Sequence, residues 1–435
     1  MKTIILKEAQ NKILDLFAIH KKIFIAYSGG VDSHVLLHLI AGLCNDKKDI
    51  KLSAIHVNHN INPQSLLWQQ HCQKICRKLG VTCLVRTIPR ELKANDHSIE
   101  EILRKMRYEI FAQVLSKDAC LLTAHQVDDQ AETLLLQLFR GAGPKGLAAM
   151  PEKVRFAKGF FARPLLKQKR AEILLYATKY ELNWIEDTSN AEIKFDRNFI
   201  RHRLLPMIKE KWPSVITTLN RVSRHCSEAN ELLEILGELD LERRLTDKNI
   251  INVMSLKNLS LIRQKNVLRF WLQRLNLSLP SESKLLEVVR TVINSRYDKM
   301  PVVRWLGAEI RRFRSDLYAM PPLTPHDNKT ILFFSKKILK LPDDLGVLKI
   351  EVVPKTKLDL KKFKVCFRQG GERIKLPGRK GHSDLKNLMQ EWAIPPWLRD
   401  RIPLVYYDNE LVAVVGYYSK LNTVIPKCFL TYNIP

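Results

Sequence analysis

Two groups of residues in the N-terminal half have the types and spacing to do chemistry. The first is Ser28-Gly29-Gly30-Val31-Asp32-Ser33, set between the apolar run Ile23-Phe24-Ile25-Ala26-Tyr27 and a helical pattern that begins at His34. A buried strand, a glycine turn and a helix start make a phosphate cradle. The glycines let successive backbone N–H groups converge, and the helix N-terminus contributes partial positive charge. Ser28 and Ser33 add hydroxyl donors. Asp32 is the odd member, because a carboxylate repels phosphate; a divalent cation lying between them explains it and points to Mg²⁺. The pattern is not G-x-x-x-x-G-K-[ST], since no lysine stands where that loop needs one.

The second group is His125, Asp129 and Glu132, within Ala124-His125-Gln126-Val127-Asp128-Asp129-Gln130-Ala131-Glu132-Thr133. Their spacing of i, i+4, i+7 predicts one helix face, suited to a cation, an ammonium group or both. Just beyond, Gly141-Ala142-Gly143-Pro144-Lys145-Gly146 matches G-x-G-x-x-G, but it ends a helical pattern instead of joining a strand to a helix. That context excludes a dinucleotide fingerprint and leaves a loop near the substrate.

The elements that must position these groups alternate over residues 1 to about 210. Strand-like runs at 23–27, 52–57, 81–88 and 120–124 are separated by helical patterns at 33–43, 65–79, 98–116 and 127–140. Such alternation predicts an α/β fold with a parallel sheet covered on both faces. Ligands of such sheets bind at the carboxyl ends of the strands, so the loops after Tyr27, Val57 and Ala124 should face one cleft. After Pro213 the pattern reads as mostly helical, near 215–240, 255–276 and 281–295, then passes through the cluster Pro321-Pro322-Leu323-Thr324-Pro325. Short strands follow, including 331–334, 347–353 and 363–367, with a hairpin around Asp408-Asn409. Three domains are expected: 1–213 catalytic, 214–325 helical and 326–435 small α+β.

The chain has 435 residues and a formal net charge of +27, which favours a polyanionic partner, nucleic acid first. Its eight cysteines are scattered without a C-x-x-C, which predicts buried free thiols in a reducing compartment. Met1 to Phe17 is amphipathic and holds Glu8 and Asp15, unlike a signal peptide, and no apolar stretch approaches a membrane span. A cytoplasmic location is expected.

The SGGxDS pattern resembles the pyrophosphate loop of N-type ATP pyrophosphatases, enzymes that cut ATP between the α and β phosphates. The chain further resembles the tRNA(Ile)-lysidine synthetase family in HVNHNI at 56–61, IEEILRKMRYEIF at 99–111 and AHQVDDQAETLLLQLFRGAGPKGL at 124–147. RPLL at 163–166, WIEDTSNAEIKFDRNFIRHRLLP at 184–206 and the segment 367–406 extend that resemblance. It implies a PP-loop catalytic domain followed by two tRNA-binding domains, the substrates ATP, free L-lysine and an isoleucine tRNA with a CAU anticodon, and a dimer in some members. ATP adenylates the carbonyl oxygen at position 2 of the wobble cytidine, and the lysine ε-amine then displaces AMP.

The resemblance also implies residue roles. Ser28, Gly29, Gly30, Val31, Asp32 and Ser33 cradle the ATP phosphates, with Asp32 on Mg²⁺. His56 and Asn58 lie beside the adenosine, His125, Asp129 and Glu132 recognise lysine, and Arg104, Arg107 and Arg197 serve the reacting phosphate and base. Asn198 and Arg201 extend the Arg197 patch. Lysine amines have a reference pKa of about 10.4, so attack needs a base, either His125 or Glu132. Nine Lys or Arg between Lys361 and Lys386, and Arg221, Arg224, Arg243, Arg244, Arg311, Arg312 and Arg314 in the middle segment, are expected to contact tRNA phosphates. Trp392 and Trp397 are expected in core packing. A tRNA cytidine thiolase is the nearest rival, but it would call for paired cysteines. A non-catalytic RNA-binding scaffold would call for loss of Asp32 or the acids.

Overall fold

The computed structural model describes the chain apart from residues 1–5, 46, 48, 61, 89–95, 187–191, 248–249, 344, 353–358, 377, 379–380, 426–427 and 434–435. Expectations that fall on Ile61, on residues 187–191, on Val353, on Pro377, Arg379 and Lys380, or on the side chains of residues 99–101 therefore lie outside the described residues. The chain forms two compact units, Met1–Ile235 and Leu236–Pro435.

The first unit begins with α1 (Lys7–Ile19), β1 (Lys22–Ala26), α2 (Val31–Cys44), β2 (Lys51–Asn58), α3 (Ser65–Lys78) and β3 (Thr82–Thr87). It continues with α4 (Asp96–Val114), β4 (Cys120–Leu122), α5 (Val127–Phe139), α6 (Pro144–Leu147), β5 (Lys153–Phe156), β6 (Gly159–Ala162), α7 (Arg170–Lys179), α8 (Asp196–Phe199) and α9 (Leu205–Lys211). The sheet order is β3-β2-β1-β4-β6-β5, parallel except for the edge strand β5. Period-two alternation sends Ile23 and Ile25 into the core under α1, α2 and α7, while Phe24 and Ala26 pack on the other side with Phe111 and Leu115 near α4. The β5–β6 hairpin carries no strong alternation in the sequence and is an addition to the expected strands.

The expected elements are present to within a few residues, and the order places β1 between β2 and β4. The carboxyl ends of all three therefore share one edge of the sheet, where the chain turns into Ser28–Gly30, His59 and Thr123–Gln126. Gly143 caps α6 after α5 has ended, so the G-x-G-x-x-G stretch is a short helix-to-helix turn that runs into α6 and not a strand-to-helix loop.

The long helix α10 (Val215–Glu242) leads into β7 (Leu245–Asp247), β8 (Ile250–Asn252), α11 (Val253–Lys257), α12 (Leu261–Arg274) and α13 (Glu282–Glu287). Here the structure corrects the mostly helical expectation. Strands β9 (Val302–Trp305), β10 (Ala308–Phe313) and β11 (Asp316–Met320) join β7 and β8 in an antiparallel sheet of order β7-β8-β11-β10-β9. Val303, Ile310, Leu317 and Ala319 alternate into a core around Trp271, and the turns use left-handed Gly307 and Arg314. The C-terminal part carries a five-stranded sheet that includes Phe363–Cys366, Leu404–Tyr407 and Glu410–Val414. Asp408 and Asn409 both have φ near +60°, as a two-residue hairpin turn requires.

All eight cysteines are free; Cys72, Cys76, Cys120 and Cys428 are buried and the others half-buried. Among the described residues no helix is long and apolar enough to cross a membrane.

Candidate active site

The glycine loop expected to cradle phosphate forms where β1 ends. Gly30 caps α2 in extended conformation, and Ser33 Oγ donates to the Gly30 carbonyl at 2.9 Å and lies 3.1 Å from Ser28 Oγ. Gly29 has φ +91°, which favours glycine, and a Cβ there would meet Ile185 Cδ1 at 2.7 Å and Cys72 Sγ at 3.0 Å. His56 Nδ1 lies 3.0 Å from the Tyr27 carbonyl, pinning the residue that enters the loop. Asn58 bonds Gln69 and the Asn60 N–H, so its amide shapes the turn after β2.

Asp32 stands in the first turn of α2 with Arg170 Nη1 3.5 Å from its Oδ2, while its Oδ1 is buried without a hydrogen-bond partner. Burial pushes its carboxyl up to about 6; Arg170 opposes that shift, and the nearby Asp129 adds to it. An orphaned carboxylate oxygen beside a phosphate cradle fits a hard divalent cation that takes its other ligands from phosphate and water. Arg170 lies 138 residues from Asp32, and no spacing pattern could have revealed the pair.

The acidic group is built differently from the expectation. His125 does not lie on the helix: α5 starts at Val127, and Gln126 is its cap. The Gln126 side chain accepts from the Asp128 N–H at 2.8 Å, and Asp129 Oδ2 accepts from the Gln126 N–H at 2.9 Å. Asp129 and Glu132, three apart, do share a face. Against that face stand Arg197 on α8 and Arg201 in the π turn of residues 200–204 that joins α8 to α9. Buried Ile200 and Leu205 are five apart, which suits the wider turn, and they pack with Ala131 and Leu135 of α5.

The result is a closed ion-pair network. Arg197 Nε donates to Glu132 Oε2 and its Nη2 to Asp129 Oδ1, both at 2.8 Å. Arg201 donates from Nε to Glu132 Oε1 at 2.6 Å, and from Nη2 to Glu132 Oε2 at 2.9 Å and to Asp129 Oδ1 at 3.0 Å. The Glu132 side chain is 1% exposed, against 22% and 32% for Arg197 and Arg201. Burial opposes ionisation of Asp129, but Arg197, His125, the Gln126 N–H and Arg201 together hold its carboxyl below the usual range.

His125 lies in the loop between β4 and α5, its Nδ1 2.9 Å from Thr123 Oγ1. Burial depresses its pKa to about 3; Asp129 opposes that shift, while Arg163, Arg197 and Arg104 add to it. The imidazole is therefore neutral. Arg163 is a site residue to which the sequence reading assigned no role. It follows β6 as Thr123 follows the neighbouring β4, it is 7% exposed, and its Nη1 donates to the Pro151 carbonyl at 2.7 Å. Its guanidinium sits 4.4 Å from the Phe161 ring centroid. Arg104 is exposed on α4, over the Tyr108 ring at 5.2 Å, and Arg107 is half-buried on the same helix.

In the second unit several arginines expected to grip RNA have internal partners instead. Arg312 is 4% exposed and donates to the carbonyls of Ile293, Ser295 and Arg314. Arg244 is tied to Asp240 and the Ser255 carbonyl, and Arg311 to buried Glu309. Half-buried Trp397 packs against Phe313 and Tyr318, whereas half-buried Trp392 stacks on the exposed Tyr417.

The strand–glycine loop–helix cradle on a parallel sheet defines an ATP-binding domain of the PP-loop class, and residues 3–208 match the family model described as PP-loop domain. Residues 252–318 match the TilS substrate binding domain, and 363–423 the TilS substrate C-terminal domain. The chain is 44% identical over 398 residues to a tRNA(Ile)-lysidine synthase of Coxiella burnetii, covering 90% of this chain and 88% of that one. It is 40% identical over 404 residues to a tRNA(Ile)-lysidine synthase of Legionella pneumophila strain Paris, covering 91% of each. The chain belongs to the tRNA(Ile)-lysidine synthase family and is a ligase-type enzyme that uses ATP.

Proposed function

We propose that the enzyme adenylates the wobble cytidine of a CAU-anticodon isoleucine tRNA and then joins free L-lysine to it, releasing pyrophosphate and AMP. The observation that carries this reading is the meeting, on one sheet edge, of a phosphate cradle with an acid–arginine network suited to an amino acid and a developing phosphate charge. The cytidine O2 attacks the α-phosphorus, and the bond to the β-phosphate breaks. Lysine Nζ then bonds to C2 and the C2–O bond to AMP breaks, so a poor leaving group has become a good one.

In this reading the backbone N–H groups of Gly29 to Ser33 bind phosphate oxygens, and His56 and Asn58 hold the loops beside the adenosine. Asp32 would hold Mg²⁺, which neutralises phosphate charge when bound. Neutral His125, fixed by Thr123, accepts a hydrogen bond from the lysine ammonium and orients it, but its depressed pKa makes it too weak a base to carry that proton away. Asp129 and Glu132 take the ammonium before that proton leaves, while Arg104, Arg107 and Arg197 stabilise charge on the transferred phosphate. The arrangement 1–213, 214–325 and 326–435 assigns catalysis to the first segment and tRNA holding to the other two. The net charge of +27 supports such a partner. A cytoplasmic enzyme, dimeric as the resemblance implies for some members, fits this role.

The test is incorporation of labelled lysine into a CAU-bearing isoleucine tRNA transcript with ATP and Mg²⁺. Label with the wild type but not with Asp32→Ala or Glu132→Ala supports the reading. AMP formation on that tRNA without label would make lysine the wrong nucleophile.

A further inference from the structure

The acids assigned to lysine are already occupied. Each of the four carboxylate oxygens of Asp129 and Glu132 accepts at least one hydrogen bond: three take theirs from Arg197 or Arg201, and Asp129 Oδ2 takes the Gln126 N–H. Two carboxylates face two guanidinium groups, so the cluster is neutral, and an arriving ammonium would find no charge to bind. A third cation at this neutral, partly buried cluster would be an uncompensated charge, which is also costly. One partner must move before the amine can enter.

Arg201 is the one placed to move. It is the more exposed of the two, and its π turn is a local irregularity of the kind often found at functional sites. The acids open α5 and the phosphate loop opens α2, after the adjacent parallel strands β4 and β1, so both helix starts lie at the same edge of the sheet. Arg201 also lies within the electrostatic reach of Asp32. A triphosphate bound at the cradle offers a larger negative charge than one carboxylate.

We propose that Arg201 gates the amine site: the phosphates of bound nucleotide draw its guanidinium away from Glu132, and lysine binds only then. This rests on the assignment of Asp129 and Glu132 to lysine. It makes Arg201 a positioning residue that imposes an order, nucleotide before lysine. It also couples the two sites, and the coupling must be reciprocal.

Equilibrium dialysis of labelled L-lysine tests this with the full chain, alone and with α,β-methylene-ATP and Mg²⁺. The wild type should bind lysine about tenfold or more tightly with the nucleotide, and lysine should tighten nucleotide binding by the same factor. Arg201→Gln, which keeps a shorter polar side chain and removes the charge, should bind lysine nearly equally with and without nucleotide. Arg201→Lys, lacking the two-pronged contact, should show a reduced ratio and carries the test if the glutamine variant melts early. Equal lysine affinity in the wild type under both conditions, or an undiminished ratio in the folded variant, overturns the gate. Lysine incorporation by Glu132→Gln separates the two levels. Incorporation at wild-type rate overturns the site assignment and the gate with it, whereas lost incorporation with a ratio of one overturns the gate alone.

Discussion

Replacing Gly29 by alanine tests whether the phosphate cradle is held by the backbone geometry described. At φ +91° an L-residue is strained, and the new Cβ would lie 2.7 Å from Ile185 Cδ1 and 3.0 Å from Cys72 Sγ. Strain in such a region costs about 1–3 kcal/mol, and overpacking typically adds about 1–3 kcal/mol. Ile185 Cδ1 is the end of a flexible side chain and can give way, so a sum near 3 kcal/mol is expected, a fall of about 6–12 °C in the melting of a unit of this size. Ile185→Val removes the very atom in the way. The double variant Gly29→Ala/Ile185→Val should therefore recover about 1 kcal/mol relative to the sum of the singles, while the backbone strain stays. Calorimetry on the four proteins reads the coupling, and ATP-to-AMP conversion reads the cradle, which should fail more severely than folding because the N–H groups no longer converge. A Gly29→Ala protein within about 0.5 kcal/mol of wild type and fully active would refute the reasoning.

Asp32→Asn should abolish AMP formation while leaving the fold unharmed. Because burial raises the folded-state pKa to about 6, above the unfolded value, ionised Asp32 weakens folding as pH rises from about 4 through 6. The variant should thus melt at or above the wild-type temperature at pH 8, and a lower melting point would mean that Asp32 is a structural partner. Glu132→Gln removes the buried anion that holds two half-buried guanidinium groups and should destabilise the first unit by about 2–3 kcal/mol; a change under about 1 kcal/mol would show the network to be loosely held. His125 should remain neutral to pH 5 in ¹⁵N-histidine spectra, with His125→Gln giving the assignment, since burial depresses its pKa to about 3. The unfolded chain takes up that proton first, so this group lowers stability as pH falls below about 6.5. A resonance titrating at pH 6 would contradict the burial argument.

Local patterns determined much of this protein. Strand–turn–helix order, the cradle at Ser28–Ser33 and the helix starting at Val127 follow from period-two and period-3.6 apolar spacing and from glycine, which act within a few residues of one another. The same local logic missed β9 to β11, because short strands with one buried face yield to a helical reading until a neighbouring sheet selects their register. It also placed His125 on the helix, when Gln126 and Asp129 cap α5 one residue further on. Tertiary structure alone decided who faces whom. Arg170 reaches Asp32 across 138 residues, Arg201 reaches Glu132 across 69, and Arg312, basic and apparently available for RNA, is spent on carbonyls inside the second unit. A charge advertises its sign in the sequence, but its partner is chosen by packing, since an ion pair depends on distance and burial and not on spacing along the chain.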